Sequence, residues 1–210
     1  MSHVAVAGNA TNQTTGGFNA PAGSFVFVFV GYVAVTIGGG YPVAITDSLG
    51  DPYFPVSSTD LAVNHSEDLY LGAAGRSDPA LTVTVSFVSA YPMGGTVSVV
   101  DVANVTLGEI NAVNEYAAVS GYASVDVNST VAKNLYLLGA IARGLAAPMT
   151  PENGESLLGT GSATTGPFED GMSYGAFELT SGGAVTLSAG LAVSSSAWAA
   201  IGVAITLPTS

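Results

Sequence analysis

Residues 25–30 read Phe25-Val26-Phe27-Val28-Phe29-Val30, and after Gly31 the apolar run resumes through Ile37 before Gly38-Gly39-Gly40 and Pro42. β-branched and aromatic residues dominate, and both faces of the segment are apolar. The uninterrupted stretch is about 14 residues, short of the roughly 20 that a helix needs to cross a bilayer. It predicts a central strand covered on both sides. Elsewhere, short β-rich runs alternate with turn residues, predicting strands at 69–74, 81–88, 96–102, 110–119, 122–127, 135–141, 174–179, 184–191 and 197–207. Ser48-Leu49-Gly50-Asp51-Pro52, Met93-Gly94-Gly95 and Ser181-Gly182-Gly183 mark turns between them. Only 140–147 has helix-like composition, and Pro148 and Pro151 end it. This spacing implies an all-β fold: a single, mostly antiparallel β-sandwich or jelly-roll-like domain.

Pro21-Ala22-Gly23 separates a weakly alternating leading segment, residues 1–20, from the sandwich proper, residues 21–210. The leading segment reads as a donor strand or arm. Residues 144–156, polar and Pro-bearing, read as a surface loop, and no internal repeat is visible.

Charge sharpens the picture. The chain holds three Lys or Arg and fifteen Asp or Glu, 9% of its residues, against 48% hydrophobic. Ordinary domains carry about 25% charged residues. An exterior so poor in charge favours association, which points to an assembling subunit. At net −12, with Arg76, Lys133 and Arg143 its only basic Lys or Arg side chains, the chain has no basic stripe for nucleic acid or anionic lipid. The absence of Cys rules out disulfides, thiolate metal sites and Cys nucleophiles. No basic region precedes the apolar run, so a usual signal peptide is not expected.

Candidate chemistry is thin. His3 and His65 are the only histidines, and no Gly-x-Ser-x-Gly elbow accompanies them, so His65 reads as a solvated loop residue. The acidic pairs Asp47/Asp51, Glu67/Asp68 and Glu169/Asp170 sit in turn-like contexts. Asp47-Ser48-Leu49-Gly50-Asp51 offers the hard oxygen ligands of calcium but lacks the full Ca²⁺-loop pattern. An Asx turn made by Asp47 explains the same residues without an ion. No cofactor other than calcium is indicated. Asn9, Asn12, Asn64, Asn104 and Asn128 each begin an Asn-x-Ser/Thr sequon, which makes a glycoprotein one reading. Gly38-Gly39-Gly40 and Gly159-Thr160-Gly161 lack the Lys of a phosphate cradle. Tyr32, Tyr41, Tyr53, Tyr91, Tyr116, Tyr122 and Tyr174 could line a sugar platform or pack at strand ends, and Trp198 reads as core of the last strand.

Thr46-Asp47-Ser48-Leu49-Gly50-Asp51-Pro52-Tyr53 resembles the Thr-Asp-Ser-x-Gly-Asn-x-Tyr/Trp signature of a β-sandwich module found in bacterial surface proteins and phage structural proteins. Leu69-Tyr70-Leu71, residues 81–87, residues 114–119, residues 134–139 and the Trp198 strand continue the likeness in order, across almost the whole chain. Asp51-Pro52 and Ala117 depart from it. The resemblance implies a surface or virion role in which Glu115 and Tyr116 are architectural. The expectation is a non-enzymatic, extracellular, self-assembling subunit of a filament, pilus-like fibre, virion coat or decoration, with the leading segment adding a strand to a neighbour's sheet. The alternative is a carbohydrate-binding or adhesin module, which requires an exposed aromatic row.

Overall fold

The structure is a computed structural model that describes residues 2–8, 10–33, 42–60, 65–88, 95–103, 105–115, 122–129, 134–143, 150–151, 156–165, 168–179, 183–190 and 198–206. Among these residues every helix or strand is a strand, and every pairing is antiparallel. The all-β class read from the sequence therefore holds. No helix among the described residues is long and apolar enough to cross a membrane.

The described residues up to Val102 form ten strands: β1 (Ser2–Gly8), β2 (Asn12–Thr14), β3 (Phe18–Ala20), β4 (Phe25–Val33), β5 (Pro42–Asp47), β6 (Tyr53–Asp60), β7 (His65–Ala73), β8 (Asp78–Leu81), β9 (Val83–Phe87) and β10 (Gly95–Val102). Five of them make an inner sheet in the order β1-β10-β4-β7-β6. An outer layer covers it, with β2-β9-β5 continued by the β3-β8 pair. Strict alternation on β4 explains how the layers join, since successive side chains point to opposite faces. Val26, Val28, Val30 and Tyr32 share one core with Phe18, Leu81, Val83, Val85 and Phe87 of the outer layer. Phe27 and Phe29 are as deeply buried, on the opposite face.

From Thr106 the described residues make eight more: β11 (Thr106–Glu115), β12 (Tyr122–Ser129), β13 (Asn134–Arg143), β14 (Thr150–Pro151), β15 (Ser156–Thr165), β16 (Phe168–Leu179), β17 (Gly183–Gly190) and β18 (Trp198–Thr206). Their inner sheet runs β11-β18-β13-β16-β15 and their outer sheet β12-β17-β14. Tyr136, Leu138, Trp198, Ala200 and Ala204 share a core with Val125, Val127 and Leu187. Leu135, Leu137, Ile201 and Val203 are buried on the other face of the same strands. There β13 packs on β4 and β7, and β18 packs on β6 and β7, so the two inner sheets back onto each other. No sheet among the described residues mixes strands from before and after residues 103–105.

Two expectations change. Residues 140–143 are the end of β13, not helix, because β16 and β18 pair with that strand on both sides; residues 144–147 lie outside the described residues. The segment 144–156 is not all loop, since Thr150–Pro151 adds a short edge to β17. The leading segment is woven into its own fold. β1 pairs along β10, β2 with β9 and β3 with β8, and Gln13, Thr15, Phe18 and Ala20 are buried.

Candidate functional site: the acidic turn

The sequence concentrates its candidate ligands where β5 ends and β6 begins, and the structure shows what Asp47 does there. Its Oδ1 accepts the Leu49 and Asp51 backbone N–H groups, both at 2.9 Å, and its Oδ2 accepts the Tyr53 hydroxyl at 3.1 Å. Gly50 N–H donates to the Asp47 carbonyl at 3.2 Å, and Gly50 takes φ = +78°, a left-handed value that a Cβ disfavours. This is the Asx-turn geometry. Asp51 reaches further: its Oδ2 accepts the Gly75 N–H at 2.8 Å, tying the turn to the segment after β7. Ser48 exchanges two hydrogen bonds with Thr82, its N–H to the carbonyl at 3.0 Å and its Oγ from the N–H at 3.2 Å. Eight residues of sequence thus lock β5, β6 and the β7–β9 region together.

Two glycines that the sequence did not single out complete the lock. A Cβ on Gly72 would sit 2.7 Å from Tyr53 Cε1, so the tyrosine ring lies directly over that backbone. A Cβ on Gly75 would sit 2.8 Å from Asp51 Oδ1. Their sequence signal, glycine near a strand end, has no residue-specific address without the fold.

Burial first, then the Asp47 charge and hydrogen bond, then the Asp51 and Asp101 charges, push the Tyr53 hydroxyl far above its ordinary value. It stays a neutral donor to Asp47. Asp101, on β10 beside Val26, is 1% exposed, and burial raises its carboxyl, partly offset by a hydrogen bond from Ser24. Its Oδ1 has no hydrogen-bond partner among the described residues. The Ser24 hydroxyl also donates to the Pro21 carbonyl at 2.8 Å, and one proton cannot serve both acceptors fully. A protonated Asp101 can donate to Ser24 and relieve the competition.

The turn brings Asp47 and Asp51 together, but both carboxylates are occupied by N–H and O–H donors. Among the described residues no three His, Asp or Glu side chains are grouped to hold a metal ion. His65 is the first residue of β7, opposite Val33, rather than in a loop, and His3 lies in β1 opposite Val100. Glu67 and Asp68 lie within β7 and Glu169 and Asp170 within β16, so both pairs are in strands rather than turns. Glu115 ends β11, while Tyr116 lies outside the described residues. Of the sequon asparagines, Asn12 on β2 and Asn128 on β12 are exposed; Asn9, Asn64 and Asn104 lie outside the described residues. Tyr32 is buried with its ring centroid 6.4 Å from that of Phe87, Tyr53 is half-buried, and Tyr122 is exposed. Tyr41 and Tyr91 lie outside the described residues, as does the side chain of Tyr174.

No known protein family, curated protein or solved structure matches this chain.

Proposed function

We propose that the protein is a non-enzymatic structural subunit that assembles with copies of itself at a cell surface or in a virion. The observation that carries this reading is the exterior: eighteen ionisable Asp, Glu, Lys and Arg side chains serve 210 residues. Where side chains are described, exposed positions on the outer strands include Asn12, Thr14, Ala44, Thr46, Asp126, Asn128 and Thr186, and Phe54, Val56 and Tyr122 are the large exposed apolar residues. Phe54 and Val56 lie on β6, an edge strand of its sheet. Sparse charge gives little like-charge repulsion between copies, and edge strands offer unpaired backbone for contact. Strand donation, on this reading, is an exchange. Residues 2–8 leave β10 of their own sheet and pair with β10 of a neighbour.

Electron microscopy of the purified protein tests the proposal, with filaments, shells or regular oligomers expected. A monodisperse monomer across concentrations overturns it. Deleting residues 1–8 abolishes assembly if exchange of β1 is the mechanism, and normal polymers from that variant refute the mechanism while leaving assembly standing.

A further inference from the structure

The two inner sheets have the same strand order once β1, β10, β4, β7 and β6 are replaced by β11, β18, β13, β16 and β15. The outer sheets agree under the same rule, with β2, β9 and β5 replaced by β12, β17 and β14. In both halves the matched strands follow one another in the same chain order; β3 and β8 merely prolong β2 and β9.

Register carries the match to single residues. Val28 lies between Val99 and Tyr70, as Leu138 lies between Gly202 and Gly175. One step along, Phe27 lies between Val100 and Leu71, as Leu137 lies between Val203 and Ala176. The edge strands then break register at the same place. After Pro55 opposite Tyr70 the extra residue is Val56, and after Leu157 opposite Gly175 it is Leu158. A bulge re-aims a strand at a fixed point and is a built feature of a fold.

The packing between halves also survives exchange. β1 packs on β15 as β11 packs on β6, β7 on β18 as β16 on β10, and β4 meets its counterpart β13. That is the contact pattern of a symmetric dimer, in which one patch on each unit meets the same patch on the other.

We infer that residues 2–102 and 106–206 are two copies of one folding unit, and that the outward face of each inner sheet is a docking surface for a second copy of that unit. Phe27 and Phe29 present this face on one unit, and Leu135, Leu137, Ile201 and Val203 present it on the other; all six are buried. Each unit keeps its own core on the opposite face. The link across residues 103–105 raises the effective concentration of the partner and is not what shapes the interface.

The sequence conceals the duplication because matched positions hold unlike residues. Tyr32 faces Gly95 in one, while Ala142 faces Trp198 at the matched pair in the other.

The test uses the full chain with a specific protease site inserted between Val102 and Thr106. After cleavage the halves are expected to elute as one particle with an unchanged β-sheet circular dichroism spectrum, and to re-form that particle after joint unfolding and refolding. Separation of the halves in native buffer refutes the docking surface, and collapse of the β signal on cleavage refutes two folding units. Phe29→Asp and Leu137→Asp, each in the cleaved protein, address the same face from opposite sides. At least one is expected to weaken association of the halves by 100-fold or more while both halves keep β structure. Unaltered association in both variants, or loss of β structure throughout in both, overturns the inference. These readouts concern halves of one chain and do not depend on whether whole chains assemble.

Discussion

Replacing Asp47 with Ala removes three acceptor contacts at once: those from the Leu49 N–H, the Asp51 N–H and the Tyr53 hydroxyl. Hydrogen bonds to a charged group contribute about 1.5–3 kcal/mol each when buried. This turn is half-buried, and water can reach some of the freed donors, so a total near 2–4 kcal/mol is expected. For a chain of this length that lowers Tm by roughly 5–15 °C. Asp47→Asn separates the hydrogen-bonded turn from an ion site. Its side-chain oxygen still accepts the two N–H groups, and its amide can donate to the Tyr53 oxygen once that hydroxyl turns away. The Asn variant should therefore lie within about 1 kcal/mol of the parent. A calcium site would instead lose a charged ligand in both variants. Differential scanning calorimetry with either EDTA or calcium present reads the difference directly. Equal losses for Ala and Asn, or a Tm that rises with calcium in the parent and not in the variants, would refute the turn as a self-contained lock.

Asp101→Asn should stabilise the protein at neutral pH, because it removes a carboxylate charge that burial disfavours while its amide can donate to the Ser24 oxygen. Because the folded Asp101 carboxyl is raised, its stability contribution is complete below the ordinary Asp range and declines as pH rises through the folded value. Thermal melts from pH 3 to pH 8 should show the variant's advantage growing with pH; parallel curves contradict this. In Gly202→Ala the new methyl would lie 2.5 Å from Val127 Cγ2, 2.7 Å from Val125 Cγ1 and 3.1 Å from Leu187 Cδ1. Overpacking of this kind costs about 1–3 kcal/mol, and an unchanged urea midpoint would refute so close an approach of β18 to the outer sheet. Gly50→Ala meets no atom within 4 Å, so only its φ of +78° matters, and a loss of about 1–2 kcal/mol is expected, with Gly50→Asn milder.

What the sequence revealed follows from how locally each feature is specified. β4 was legible because both of its faces are buried, one in the core of its own half and one between the inner sheets, leaving no polar position to blur the run. β6 was missed. As an edge strand carrying Pro55 and a bulge, with Phe54, Val56 and Ser58 exposed, it shows no alternation. β2 carries no strand signal in the sequence, because polar Asn12, Gln13 and Thr14 compose it. The buried polar residue that follows, Thr15, is satisfied from afar: its Oγ1 accepts the Val83 N–H at 3.0 Å while its own N–H donates to the Val83 carbonyl at 2.9 Å. The same division runs through the acidic turn. Asp47 bonds residues two, four and six positions ahead, so its role is written in seven letters. Gly75, 24 positions from the Asp51 it holds, has no such local signature. The duplication marks the extreme, since nothing in it is local. Burial alternation constrains which face is apolar but not which residue of a touching pair is large. Tyr32–Gly95 and Ala142–Trp198 satisfy one geometric requirement with opposite assignments. Two such units can share the strand order, the register along the inner sheet and the bulge of one edge strand while their sequences drift apart, because backbone pairing sets these and asks of the side chains only that each buried face be apolar.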